Sequence, residues 1–130
     1  MAVGFLMKKG GHMEVYCYSK CTTCKKALKW MDEQGISYQL KDIKEEHPDK
    51  ENLIRWYEMS GFPLKRFFNT SGIQYRELGL KDKLKEMSEE EQLSLLATDG
   101  MLVKRPLVVG KDFVLLGFKE EEWKERLTDV

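Results

Sequence analysis

Residues 14–35 read EVYCYSKCTTCKKALKWMDEQG, and two periodicities meet inside them. Glu14–Tyr18 (EVYCY) is rich in β-forming residues and reads as a short strand. From Cys21 onward, Cys24, Ala27, Leu28 and Met31 recur at i, i+3, i+4 and i+7, the apolar stripe of an amphipathic helix. Lys25, Lys26, Lys29, Asp32 and Glu33 take the other face, and Gly35 stands where a helix-ending glycine belongs. Ser37–Ile43 (SYQLKDI) then alternates like a second strand. Strand, helix and strand joined by so short a crossover predict a parallel pair.

Outward from this stretch the chain turns helical and then returns to β. Pro48 suits a first helical turn, and Leu53, Ile54, Trp56 and Tyr57 supply an apolar side before Gly61-Phe62-Pro63. A short segment at Leu64–Phe68 and a turn at Ser71-Gly72 follow. Ser88 with Glu91 three residues on is a capping box, opening a helix that carries Leu93, Leu95, Leu96 and Ala97. Leu107–Val109 and Phe113–Leu116 are apolar runs around Gly110-Lys111-Asp112, a hairpin signal. Phe118–Leu127 closes the chain as a helix whose first turn, Glu120–Glu122, complements the macrodipole. The order β-α-β, helical block, β-β-α predicts an α/β thioredoxin-like fold: a mixed four-stranded sheet with a helical insertion at about 47–100 in a single domain, residues 13–130.

The chain has 130 residues, about one domain's worth. With 42% hydrophobic and 34% charged residues it belongs with folded globular chains, not disordered ones. Lys and Arg total 22 and so do Asp and Glu, a balance that argues against direct nucleic-acid binding. No apolar run approaches the roughly 20 residues of a membrane span. Three cysteines in a chain of this size suit a cytoplasmic protein with reactive or buried thiols better than a disulfide scaffold. Residues 1–12 (MAVGFLMKKGGH) read as a disordered expression leader ahead of Met13, a natural extension being the alternative. Setting them aside removes Lys8 and Lys9, so the balance becomes slightly acidic, and leaves His47 as the one histidine. One histidine cannot build a multi-histidine metal site, and His47 in KEEHPDK is an unpromising buried base for a catalytic triad. Gly-rich phosphate-binding loops are absent from the sequence.

Cys21-Thr22-Thr23-Cys24 falls between the first strand and the first helix, and that place carries chemistry. A thiol at a helix start faces unpaired backbone N–H groups and the positive end of the helix dipole, which favour thiolate. Lys20, Lys25 and Lys26 add positive potential, though they also read as a solvated face. Cys21 is the candidate nucleophile, and Cys24, one turn on, the candidate resolving thiol. The amides of Thr22 and Thr23 are candidates to cradle a bound anion. Two other readings stay open: inert structural thiols, or a zinc site drawn from Cys17, Cys21, Cys24 and His47, against which stand the places of Cys17 in a strand and His47 beyond the second one. Cys17 itself reads as a buried strand residue. Trp30, Trp56 and Trp123 read as helix packing residues.

The second signal is Arg105-Pro106 ahead of the Leu107–Val109 strand. In a thioredoxin-like fold a cis-proline here packs beside the reactive thiol. Arg105 is then the candidate to stabilise a thiolate and to hold an oxyanion through two donors; a surface arginine before a trans-proline is the plain alternative.

The segments YSKCTTCKKALKWM, FFNTSGIQYRELGLKDKL, LLATDGMLVKRPLVV and LLGFKEEEW together resemble the arsenate reductase-like family, which holds glutaredoxin-coupled arsenate reductases and the Spx transcription regulators. The resemblance spans essentially residues 13–127. It implies that Cys21 is the nucleophile, Cys24 the second thiol of an Spx-type CxxC pair, and Arg105 the arginine of the family's Arg-Pro motif. It also implies a small oxyanion or a thiol or disulfide as substrate, no bound cofactor, and glutathione, glutaredoxin or thioredoxin as external reductant. Alignment by eye puts Asn69 and Gly117 where those reductases carry two further oxyanion-binding arginines, with Lys65 or Arg66 about one turn from Asn69. The regulator branch implies another partner, the C-terminal domain of the RNA polymerase α-subunit. The central block SGFPLKRFFNTSGIQYRELGL looks more like the reductase-like branch.

Overall fold

The computed structural model describes residues 13–128; the expected leader at 1–12 lies outside them, as do Asp129 and Val130. The chain divides into two compact units, one built from the residues up to Lys41 and from Arg105 onward, the other from Asp42 to Lys104.

In the first unit, β1 (Glu14–Cys17) leads into α1 (Thr22–Glu33), and β2 (Gln39–Asp42) follows. The chain returns for β3 (Leu107–Val109) and β4 (Val114–Leu116) before its last helix. The sheet order is β2-β1-β3-β4. β1 and β3 run antiparallel with Val15 opposite Val108, and β3 and β4 antiparallel with Val108 opposite Leu115.

Strand alternation sends Met13, Val15 and Cys17 to one face, where they join Val108 and Leu115. Helix α1 covers that face with Cys24, Ala27, Trp30 and Met31, and the last helix adds Trp123 and Leu127. Trp30 is buried while Leu28 is only half-buried, so the stripe is turned slightly from the expected one. The Trp123 ring packs edge-on to Phe118 at 4.9 Å and to Trp30 at 6.3 Å, and its indole N–H donates to the Gly117 carbonyl at 2.9 Å. Helix α1 ends as its glycine foretold. Gly35 takes φ 72°, and the amides of Gly35 and Ile36 donate to the carbonyls of Asp32 and Met31, the two bonds of a Schellman motif.

The hairpin differs from expectation at Phe113. The Gly110 amide donates to the Phe113 carbonyl at 2.9 Å, so Phe113 closes the turn instead of starting β4. A Cβ on Gly110 would lie 2.1 Å from the Phe113 ring, which is why glycine stands there.

The second unit is helical. Its α2 (Lys50–Ser60) is capped by Asp49, whose side chain accepts from the Asn52 amide at 2.8 Å. Pro48 therefore precedes the cap and is not in the first turn, because the carboxylate two places before Glu51 satisfies the orphan amides. Single turns at Leu64–Phe67, Leu84–Glu86 and Gly100–Leu102 link α3 (Ile73–Glu77), α4 (Leu80–Lys83) and α5 (Glu89–Leu96). The expected capping box is present: Glu91 N–H donates to Ser88 Oγ at 3.1 Å and Ser88 N–H to the Glu91 carboxylate at 2.8 Å. Helices α2 and α5 meet through Tyr57 O–H donating to Glu89 at 2.6 Å and Lys50 pairing with Glu90 at 3.2 Å. A bridge between Phe68 and Val103 closes the unit just short of Arg105. The chain ends in α6 (Glu120–Leu127), with Lys119 at its N-cap.

Three outcomes follow from these contacts. Ser88→Ala removes one half of the capping box and is expected to cost about 1 kcal/mol in denaturant unfolding. Gly100→Ala would put a Cβ 1.8 Å from the Ile43 carbonyl oxygen; a loss of about 3 kcal/mol, at the upper end of overpacking costs, is expected by the same measurement. Burial, and then the hydrogen bond Tyr38 donates to Asp32 at 2.9 Å, push the Tyr38 phenol up to about 12. The fold thus favours the protonated phenol, and its contribution is full below about pH 10 and lost as pH rises through the folded value. Subtracting the ultraviolet titration of Tyr38→Phe from that of the wild type is expected to show one phenol ionising late.

Candidate active site

Cys21 is the N-cap of α1. Its backbone is extended (φ −91°, ψ 117°), as an N-cap requires, and its Sγ accepts from the Cys24 amide at 3.4 Å. The thiol occupies the place that a serine or threonine hydroxyl takes in most capped helices. The Cys21 amide donates to the Tyr18 carbonyl at 3.0 Å, which fixes the turn from β1 into the helix. Cys21 is half-buried, and Thr22 and Thr23, the first two helical residues, are exposed, as are Lys20, Lys25 and Lys26.

Cys24 lies one turn on, on the face that α1 turns to the sheet, and is 1% exposed. A side-chain hydrogen bond with Cys17 pushes its thiol far above the ordinary thiol range, and burial and the nearby Cys17 charge add to this. The Tyr18 backbone and the Cys21 side chain pull the other way and do not offset it. Cys24 is therefore held as a neutral thiol. Cys17 is buried as expected, at 6% exposed, and is also a direct neighbour of Cys24, which the sequence reading did not anticipate. Its parity with Val15 along the strand was the available signal. All three cysteines are free.

The Arg105–Pro106 bond is cis. Pro106 is buried and its carbonyl accepts from the Gly117 amide at 2.9 Å. Arg105 reaches the β1–α1 loop, its guanidinium carbon 5.4 Å from the centre of the Tyr18 ring. Tyr18, a cation–π platform for that arginine, had no role assigned from sequence; an aromatic three places before Cys21 in the connecting loop was the clue.

The remaining candidates fall in other segments of the chain. Gly117 holds φ 72°, a left-handed backbone where an arginine would be strained. Asn69, Lys65 and Arg66 belong to the Asp42–Lys104 unit, where the Asn69 amide donates to the Leu102 carbonyl at 2.8 Å and Arg66 lies 4.1 Å over the Phe62 ring. His47 belongs to that unit too and is exposed. Among the described residues no group of three or more His, Cys, Asp or Glu is arranged to hold a metal, and no helix is long and apolar enough to cross a membrane.

Comparison with known proteins adds the family. The chain is 56% identical over 110 residues to the protein YusI of Bacillus subtilis (strain 168), covering 85% of this chain and 93% of that one. Among solved structures it is similar to an ArsC family related protein from Bacteroides fragilis, with 51% identity, a TM-score of 0.87, and 89% and 98% of the two chains covered. It is also similar to a protein of Streptococcus mutans UA159 described as "a possible arsenate reductase", with 43% identity, a TM-score of 0.79, and 86% and 97% covered. The sheet and helices described above are therefore the α/β, thioredoxin-like fold expected from the sequence. The ArsC family profile matches residues 16–126, from β1 into α6 and so across Cys17, Cys21, Cys24 and Arg105, and the chain belongs to the ArsC family.

Proposed function

We propose that this protein is a thiol-dependent oxidoreductase in which Cys21 is the nucleophile, Cys24 the resolving thiol and Arg105 the cationic side chain beside them. One observation carries the reading: the half-buried Cys21 Sγ caps α1 and accepts the Cys24 amide, while Cys24 itself is buried and neutral. A sulfur so placed is open to substrate and sits among the donors that stabilise its anion. The Cys21 thiolate attacks an oxidised substrate and forms a covalent intermediate. Cys24 gives up its proton and attacks Cys21, the Cys21–Cys24 bond forms, and the substrate leaves reduced by two electrons. An external thiol, from glutathione, glutaredoxin or thioredoxin, then reduces the pair. Thr22, Thr23 and Pro106 are the residues assigned to bind the substrate.

The substrate reading follows from the residues that stand at the oxyanion-binding positions of related reductases. With Asn69 and Gly117 where related reductases carry arginines, one strong oxyanion-binding side chain of three is left. This supports a small disulfide or mixed disulfide over arsenate.

The test is glutathione-coupled turnover of bis(2-hydroxyethyl) disulfide and of arsenate, with glutaredoxin present. The disulfide is expected to turn over faster than arsenate. Cys21→Ser is expected to fall to background on both, and Arg105→Ala to lose about a hundredfold, the scale of one oxyanion donor. Turnover that survives Cys21→Ser would overturn the assignment. Absence of turnover on both substrates, together with capture of the polymerase α C-terminal domain, would replace the enzyme by a redox-switched regulator.

The protonated state of Cys24 gives the pH dependence its sign. Because its titration lies above neutral pH, the thiolate available for resolution grows as pH rises. Closure of the Cys21–Cys24 bond, followed by stopped-flow fluorescence, is expected to accelerate about tenfold per pH unit between pH 6 and 8.

A further inference from the structure

Cys24 lies between two thiols. It shares the buried apolar cluster of the first unit with Cys17, whose side chain is the largest influence on its thiol, and its amide donates to Cys21 Sγ at 3.4 Å. Cys17 comes from the end of β1, on the face it shares with Val15, and belongs to the same apolar cluster as Cys24, with Cys21 packed against the cluster's edge. One sulfur thus has an exchange partner on either side: Cys21 toward solvent and Cys17 toward the sheet. The mechanism above uses the outer partner alone.

We propose that Cys17 is a third redox-active thiol, which takes Cys24 from the Cys21–Cys24 disulfide and so forms a buried Cys17–Cys24 disulfide while returning Cys21 to the thiol state. The proposal rests on the reading of Cys21 as the entry nucleophile. In the step itself Cys17 loses its proton and attacks Cys24 Sγ. The Cys17–Cys24 bond forms as the Cys21–Cys24 bond breaks, the bonding pair leaves on Cys21 Sγ, and Cys21 takes up a proton. There is no net oxidation: the two electrons lost by the chain went to the substrate in the earlier step.

Two features give the exchange a direction. The sulfur that leaves is the one at the helix start, where the Cys24 amide stabilises it as it departs. The disulfide that forms joins residues 6% and 1% exposed, out of reach of an external thiol. The result is an oxidised chain whose entry thiol is free again, able to attack a second substrate or to pass the oxidation on. A side chain that serves the core alone would leave the Cys21–Cys24 bond as the end point.

The sequence makes the two disulfides easy to tell apart. Trypsin cuts after Lys20 and Lys25, so Cys21 and Cys24 share the peptide 21–25 while Cys17 lies on the preceding one. The fully reduced chain is exposed to oxidised glutathione, samples are acid-quenched over time and alkylated, and disulfide-linked peptides are mapped by tandem mass spectrometry. The expected course is an internal disulfide in 21–25 first, then a cross-link from Cys17 to Cys24, with alkylation returning at Cys21. In Cys17→Ala, with the fold checked by circular dichroism, the internal disulfide is expected to persist and to be reduced by glutathione about tenfold faster than the late wild-type form. Persistence of the Cys21–Cys24 bond as the sole intramolecular pair in the wild type would overturn the relay and leave the proposed function standing. Failure of both disulfides to form would overturn the two together.

Discussion

The first turn of α1 sets the terms for the rest of the site. A helix that begins directly after a strand must satisfy its leading amides locally, and here the satisfying atom is a sulfur, Cys21 Sγ. The same helix must bury Ala27 and Met31 on the sheet, and its 3.6-residue period then sends Cys24 inward as well. One rotational setting of one helix therefore leaves Cys21 half-buried at the cap and puts Cys24 beneath it, neutral and out of solvent. The difference in burial between the two thiols is a consequence of helix phase.

That setting is held from both sides. Below the helix, Val15, Val108 and Leu115 of the sheet and Trp123 and Leu127 of α6 form a cluster in which Ala27 is fully buried. Side chains this closely packed do not permit α1 to rotate by even one position, since a cavity or a clash would follow. Arg105 and Pro106 come just ahead of β3, and the arginine reaches the β1–α1 loop over Tyr18. The positive charge at the site is therefore local, built from a helix terminus and one guanidinium, in a chain whose overall charge is balanced.

What could be read from the sequence was mostly what is local. The strand–helix–strand opening, the Gly35 cap, the Ser88 capping box and the arginine ahead of a proline each depend on residues within a few positions of one another. The misreadings came at element boundaries, where neighbouring residues compete for one role. Phe113 looked like strand because it is apolar, yet its carbonyl is claimed by Gly110 across the turn. Pro48 looked like a first-turn residue, yet Asp49 is the better cap. The contact of Cys17 with Cys24 lies between these cases: each inward parity was visible, and their meeting required knowing that α1 folds back over β1. The position of Cys21 at a helix start was legible because a strand-to-helix junction is a local feature.

The central claim is that Cys21 is the reactive thiol and that the fold withholds the other two. It is tested most directly by treating the reduced, native chain near neutral pH with a small amount of iodoacetamide and locating the label by peptide mass spectrometry. The account predicts that Cys21 carries nearly all of it and reacts faster than the same cysteine in the denatured chain, while Cys17 and Cys24 stay unmodified until unfolding. Labelling of Cys24 or Cys17 at a comparable rate, or a Cys21 no faster than in the denatured chain, would contradict it.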